Sequence, residues 1–315
     1  MKLLLHYRAS DGFRAALERR TAAAGFEAVV VDEFDEPRFR AELADTDVLL
    51  HVLKPVTAEV IAAGPRLRLV QKLGVGVNTI DLDAARAAGV AVANMPGTNS
   101  QAVAEMTLAL MLAVLRKLSY FDPLTRAGQG WSPDLGLVDQ TGEIAGRTVG
   151  FVGYGAAPQR LGRALEALGA RLVYAARSPK PDLPGTFVPL RQLLETADIV
   201  SLHVPLGPET AGMIDAEALA SMKPGAVLIN TARGGLVDEA ALVEALASGR
   251  LAGAGLDVFA EEPVDPAHPL LRLPNVVLAP HMAWLTPETL ERSLDVAFEN
   301  ARRLSTGEPL VHRIP

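Results

Sequence analysis

The sequence predicts an α/β protein built from two doubly wound parallel-sheet domains. Three observations carry that prediction. Short, almost wholly apolar runs such as Leu3–Tyr7, Val48–Val52 and Ala226–Thr231 have the character of strands buried on both faces. Helical segments with capping residues separate them by short connections. The alternation also occurs twice, over residues 1–95 and again from Thr148 to about His281.

In the first series, strands are expected at Leu3–Tyr7, Ala28–Val31, Val48–Val52, Leu67–Leu73 and Val90–Asn94. Helices are expected at Gly12–Ala24, Thr57–Ala63 and Asp83–Ala88. The last two have a capping residue, Thr57 or Asp81, and a closing glycine, Gly64 or Gly89. Pro96–Ser100 is a turn cluster. Ser100–Leu118 then reads as one long helix, apolar nearly all round, so it is either a core helix or a subunit interface. Gly128–Asp139 reads as irregular. In the second series, strands are expected at 148–153, 171–175, 198–203, 226–231, 253–257 and 275–279.

Composition bounds the function. A chain of 315 residues accommodates two domains. It has no cysteine, which excludes disulfides, thiolate catalysis and cysteine-ligated metals. The net charge of −7 offers no basic footprint for nucleic acid. No apolar run approaches the roughly 20 residues of a membrane helix. The N-terminal apolar run meets Arg8 and Asp11 too soon for a secretory signal. The expectation is a soluble, cytoplasmic protein with no nucleic-acid or membrane partner. The histidines lack ligand spacing, so no metal site is expected.

The stretch Thr148–Gly162 reads TVGFVGYGAAPQRLG: strand, glycine turn, helix. That is the opening of a dinucleotide-binding unit, with Gly153, Tyr154, Gly155, Ala156 and Ala157 around the pyrophosphate. Pro158 stands where the fingerprint has a third glycine; it suits a first helical turn but donates no N–H. In an open parallel sheet, ligands bind beyond the carboxyl ends of the strands. Those ends carry Ala176-Arg177-Ser178, His203-Val204-Pro205, Thr231-Ala232-Arg233, Asp257 with Glu262 following, and Pro280-His281. A histidine partnered by a carboxylate exchanges protons near neutral pH. An arginine fork matches a carboxylate. With a dinucleotide to carry hydride, these groups suit interconversion of 2-oxo and 2-hydroxy acids.

The blocks GYG, LINTARGGLVDEAAL, GAGLDVFAEEP and NVVLAPHMAWLT follow one another here, with KLGVGVNTIDLDAA and NMPGTNSQAVAEMTL before them. In this the chain resembles the D-isomer-specific 2-hydroxyacid dehydrogenase family over nearly its whole length. The resemblance implies a flavodoxin-like substrate domain, residues 1–98 and 285–315, interrupted by a Rossmann cofactor domain, residues 99–284. It implies that Arg233 binds and polarises the 2-oxo acid and that His281 is the general acid/base. Glu262 would hydrogen-bond that histidine and favour its charged form. Asp257 would bind the carboxamide side of the nicotinamide. The N–H groups of Val75 and Gly76 would hold the substrate carboxylate across a cleft between the two domains. A homodimer through helix 100–118 is also implied.

An enzyme that prefers NAD places an acid after the second strand of the cofactor domain, where this chain has Ala176, then Arg177 and Ser178. Those two residues favour NADP(H), with NAD(H) possible and a solvated Arg177 the alternative. His203, Val204, Pro205, Thr231 and Ala232 are expected to line the cofactor. Lys54 and Trp284 are candidates for substrate selectivity, against a loop lysine and a packing tryptophan. His6 and His51 read as core or edge histidines, and His268 and His312 as surface residues. The leading reading is a reductase of the glyoxylate/hydroxypyruvate kind. Alternatives are a phosphite or formate dehydrogenase on the same scaffold, Glu262 arguing against formate, or a non-catalytic NAD(P)-sensing corepressor or scaffold.

Overall fold

The structure, a computed structural model, describes residues 1–132, 134–180 and 182–315. Pro133, inside the stretch read as irregular, lies outside the described residues. The chain divides into two compact units, Met1–Asn99 with Leu285–Pro315, and Ser100–Trp284.

The first unit carries β1 (Lys2–His6), α1 (Asp11–Ala24), β2 (Glu27–Val31), α2 (Glu36–Leu43), β3 (Val48–His51), α3 (Ala58–Ala62), β4 (Leu69–Lys72), α4 (Leu82–Ala87) and β5 (Ala91–Ala93). Its five strands are all parallel, in the order β2-β1-β3-β4-β5. That is the flavodoxin-like arrangement. Strands β1 and β3 are buried along their whole length, which is why they read as unbroken apolar runs. The C-terminal helix, Pro287–Thr306, joins this unit through a buried amide pair. Asn300 Nδ2 donates to Gln71 Oε1 at 2.6 Å and to the Val311 carbonyl at 3.0 Å, and Asn300 Oδ1 accepts from the Val311 N–H at 2.7 Å. Both amides are fully buried, and each unmade bond would cost about 1–3 kcal/mol, so the pairing fixes where the chain end lies.

The second unit begins with α5 (Ser100–Leu115), α6 (Leu118–Arg126) and α7 (Leu135–Val138). It continues through β6 (Thr148–Val152), α8 (Ala156–Ala167), β7 (Arg171–Ala175), β8 (Thr186–Phe187), α9 (Leu190–Thr196) and β9 (Ile199–Leu202). It closes with α10 (Ala216–Ser221), β10 (Ala226–Asn230), α11 (Glu239–Ala247), β11 (Leu251–Leu256) and β12 (Val276–Leu278). The sheet order is β12-β11-β10-β9-β6-β7-β8, all parallel. The order reverses between β6 and β9, the switch point at which a Rossmann sheet receives its ligand.

Two expectations change. The long helix stops at Leu115, because Lys117 adopts a left-handed backbone (φ 49°) and α6 starts afresh at Leu118. Part of the stretch read as irregular is the short helix α7. In α5 the buried residues, Leu110, Met111, Val114 and Leu115 among them, belong to the unit's own core. Among the described residues, no helix is long and apolar enough to cross a membrane, and no three acidic or histidine side chains converge to hold a metal ion.

Candidate active site

The glycine turn lies at the switch point. Gly153 takes φ 89°, and a Cβ there would fall 2.7 Å from the His203 carbonyl oxygen, so the end of β9 abuts the turn. Gly155 caps α8 and has open space where a Cβ would be, with no side chain closing the helix end. The first-turn N–H groups of Ala156 and Ala157 are therefore presented to an open cradle, and Pro158 is buried in the same turn. This cradle fits a phosphate group. The Tyr154 side chain is turned into the core. Its ring is buried and stacked on Tyr174 (centroids 4.3 Å apart), and its hydroxyl donates to the Pro184 carbonyl at 2.6 Å. Burial pushes that phenol's pKa to about 12.

The ends of β10, β11 and β12 assemble the charged groups. After β10, Asn230 pins the turn: its Oδ1 accepts from the Ala232 N–H (3.0 Å) and its Nδ2 donates to the Arg233 carbonyl (2.9 Å). Gly234 then packs directly on the Phe259–Ala260 peptide, where a Cβ would lie 1.8 Å from the Phe259 carbonyl carbon. No side chain fits, so glycine there brings the Arg233 turn against the segment that carries Glu262. Glu262 Oε1 accepts from the Phe259 N–H at 2.9 Å, and Oε2 lies 2.6 Å from His281 Nδ1. Burial alone would push the Glu262 carboxyl up. The hydrogen bonds from His281 and Phe259, with the charges of His281 and Arg233, hold it below the usual range. Glu262 is thus ionised, so the proton between the two groups resides on Nδ1 and Nε2 is left to exchange one. Burial lowers the pKa of Arg233, against the opposing pull of Glu262, yet a guanidinium stays charged.

His281 itself has a left-handed backbone, φ 54°. Such a conformation persists in a non-glycine residue only where its surroundings over-determine it. Hydrogen bonds on every side do so. The His281 N–H donates to the Asp257 carbonyl (2.7 Å), and the Trp284 indole donates to the His281 carbonyl (3.1 Å). The Asp257 carboxylate accepts from the N–H groups of Met282 and Ala283, each at 2.8 Å. Asp257 is fully buried; burial raises its pKa against those two bonds and the charge of His281. The structure therefore gives Asp257 and Trp284 a common place beneath the His281 turn.

The remaining sequence-derived residues fall as follows. Arg177 and Ser178 are just beyond Ala175, whose carbonyl accepts from the Gly153 N–H at 2.8 Å; the pair thus sits beside the glycine turn, open to solvent. Val204 and Pro205 follow His203. The His203 ring nitrogen Nε2 is 2.9 Å from Ser201 Oγ, and burial lowers its pKa to about 3, so it is neutral. Thr231 is buried against Thr107 (Oγ1–Oγ1 2.9 Å), and Ala232 is held by Asn230. In the first unit, Val75 and Gly76 follow β4. Their N–H groups have no backbone acceptor among the described residues. Lys54 follows β3 with its ammonium 5.7 Å from the Phe34 ring centroid. His6 and His51 occupy the core. His6 stacks on Phe39, and burial with the Lys72 charge lowers the pKa of His51 to about 3.

One sequence expectation fails. His268 is not a free surface residue: its Nε2 lies 3.2 Å from Glu239 Oε2 and its Nδ1 accepts from the Leu270 N–H at 3.3 Å. The only sequence signals for Glu239 and Asn230 were their places at the edges of NTARGGLVDE, and neither was singled out.

The sequence profile described as "D-isomer specific 2-hydroxyacid dehydrogenase, NAD binding domain" matches residues 108–283. The chain is 41% identical over 272 residues to the glyoxylate reductase of Korarchaeum cryptofilum, covering 84% of this chain and 81% of that protein. It is equally 41% identical over 283 residues to the D-3-phosphoglycerate dehydrogenase of Mycobacterium tuberculosis, covering 88% of this chain but only 53% of that longer protein. Among solved structures, the TT0316 protein of Thermus thermophilus superposes with a TM-score of 0.90 at 39% identity, with 100% of each chain covered. With two parallel α/β units, a glycine turn at the switch point and these sequence relationships, the chain belongs to the D-isomer specific 2-hydroxyacid dehydrogenase family.

Proposed function

We propose that the protein is a nicotinamide-dependent oxidoreductase that interconverts a small 2-oxo acid and its D-2-hydroxy acid, working as a 2-oxoacid reductase of the glyoxylate/hydroxypyruvate kind. The observation that carries this is the ionised Glu262 held 2.6 Å from His281 Nδ1, at the sheet edge that also presents Arg233. The residues of the glycine turn, Gly153 to Ala157, would hold the pyrophosphate. His203–Pro205, Thr231 and Ala232 would line the rest of the cofactor, and Asp257 would serve both the His281 turn and the carboxamide. When bound, the dinucleotide supplies or takes up the hydride at the substrate's C2.

The protein's own residues do the rest. Arg233 pairs with the acid and draws electron density towards the carbonyl oxygen. His281 Nε2 gives that oxygen its proton in reduction and takes it back in oxidation. Glu262 keeps the ring in one tautomer and orientation and stabilises its charged form. Val75 and Gly76 offer two N–H donors to the substrate carboxylate, and Lys54 and Trp284 shape selectivity towards the substrate's side chain.

For the cofactor we favour NADP(H). The reading rests on Ala176 in place of an acid, with Arg177 and Ser178 beside the glycine turn; an acid there would repel a 2′-phosphate. Initial rates with NADPH and NADH against glyoxylate, hydroxypyruvate, pyruvate and phenylpyruvate test both parts. The expected result is turnover with a preference for NADPH that Arg177→Glu reverses. A preference for NADH would overturn the cofactor reading, and silence with every acid would overturn the activity.

We also propose a homodimer formed through helix 100–118, with the segment that follows it, as far as α7, beside the interface. Leu118 (54% exposed), Trp131 (86%) and Leu135 (76%) are large apolar side chains exposed to solvent there. Sedimentation velocity is expected to give twice the mass of one chain, reduced to one by Trp131→Glu with Leu135→Glu. A single-chain mass for the unaltered protein would contradict this.

A further inference from the structure

A second carboxylate–imidazole pair lies behind the first. Glu239 is the opening residue of α11, whose end is fixed by its N-cap Asp238 accepting from the Ala241 N–H at 3.1 Å. One oxygen of Glu239 accepts from the Ala260 N–H at 2.7 Å; the other faces His268 Nε2 at 3.2 Å. A backbone N–H can only donate, so the bond from Leu270 makes His268 Nδ1 an acceptor and puts the ring's proton on Nε2, directed at Glu239. Both side chains are mostly buried, 17% and 24% exposed, so the pair is held rather than solvated.

Its placement matters because of what is held on the two peptides that flank the Phe259 Cα. The Phe259 N–H holds Glu262, the Ala260 N–H holds Glu239, and the carbonyl between them packs on Gly234. Two consecutive amides are thus taken by two different carboxylates, one facing His281 and one rooted in the helix that follows the Arg233 turn. We infer that Glu239, with His268 fixing its rotamer, is a positioning residue that sets the Glu262 carboxylate against His281 and in register with Arg233. Without it, the Ala260 N–H loses its acceptor and the Phe259–Ala260 peptide is held only by its packing on Gly234, so the adjoining Phe259 N–H, the donor to Glu262 Oε1, is fixed less firmly. Displacement of a catalytic group by about 1 Å costs on the order of 100-fold in rate, and loss of an outer partner of a reacting group on the order of 10- to 100-fold.

This inference rests on the proposed role of the Glu262–His281 pair, and two readouts on the full-length protein keep them separable. Glu239→Ala is expected to lower kcat about 10- to 100-fold with KM for the cofactor within about twofold, and to accelerate amide hydrogen exchange in residues 258–263. Glu239→Gln, whose single amide oxygen keeps an acceptor for Ala260 while its NH2 faces the His268 Nε2–H, is expected to recover only part of the loss; a role confined to the helix dipole would leave it as impaired as alanine in Tm while sparing kcat in both. His268→Leu carries the same readouts at smaller size should Glu239→Ala fail to fold. Unchanged exchange at 258–263, or an unchanged kcat with faster exchange, overturns the inference. Faster exchange in a protein whose unaltered form turns over no 2-oxo acid leaves the brace standing and removes the activity it was assigned to serve.

Discussion

Replacing His281 by asparagine is expected to lower kcat for 2-oxo acid reduction by about 10²- to 10⁴-fold, the range associated with a positioned general acid. Asparagine is the informative choice. Position 281 has φ 54°, a region that asparagine tolerates and alanine enters at a cost of about 1–2 kcal/mol. His281→Asn therefore removes the proton donor while keeping the turn that Asp257 and Trp284 hold. The loss should appear in kcat, with cofactor KM nearly unchanged and Tm close to that of the unaltered protein. His281→Ala should lose the same activity and, in addition, several degrees of Tm. The carboxylate partner has a pH signature of its own. Glu262 is held below the usual glutamate range, so its bond to His281 contributes stability that is complete above that range and is lost only as pH falls through the lowered value. A fall in kcat for His281→Asn of less than tenfold would show that another group supplies the proton.

Arg233→Lys is the second large effect. Lysine keeps the positive charge but is a point donor, whereas the guanidinium is a planar fork suited to a carboxylate or to a carboxylate and its neighbouring carbonyl oxygen. The Arg233 turn is fixed by Asn230, and its Nη1 already donates to the Ala232 carbonyl at 2.6 Å, which orients the fork. Lysine cannot make that bond and also span the acid. A loss of about 10²- to 10³-fold in kcat/KM is expected, as for removal of one preorganised donor, shared between a raised KM for the acid and a lowered kcat. Stopped-flow cofactor binding should be unaffected. Wild-type kcat/KM in Arg233→Lys would place the acid's binding elsewhere.

What the sequence made legible follows from burial. Strands such as β1, β3 and β10 are covered on both faces and so announce themselves as apolar runs. Helix α2 does not. Its segment EPRFRAEL buries only Phe39 and Leu43, too few to set a helical period against the charged residues around them. Neither α6 nor α7 buries any residue, so nothing in these two helices carries a core-facing pattern. β8 is two exposed residues at the sheet edge. At the candidate site, Arg233, Glu262 and His281 were visible because they stand at strand ends, where topology decides location. The place of the Tyr154 ring was not legible, because its glycine neighbours mark a loop while the ring returns to the core beside Tyr174. The Glu239–His268 pair was invisible for a related reason. The two residues are far apart in sequence, and only the packing of α11 beside the segment after β11 brings them together.

The configuration of the product formed from hydroxypyruvate tests the proposed chemistry without intermediaries. The unaltered protein should yield D-glycerate, with one reduced cofactor consumed per product and His281→Asn forming it at a small fraction of the rate. An L or racemic product, or cofactor oxidation that proceeds equally well without His281, would contradict the assignment of proton and hydride transfer to this site.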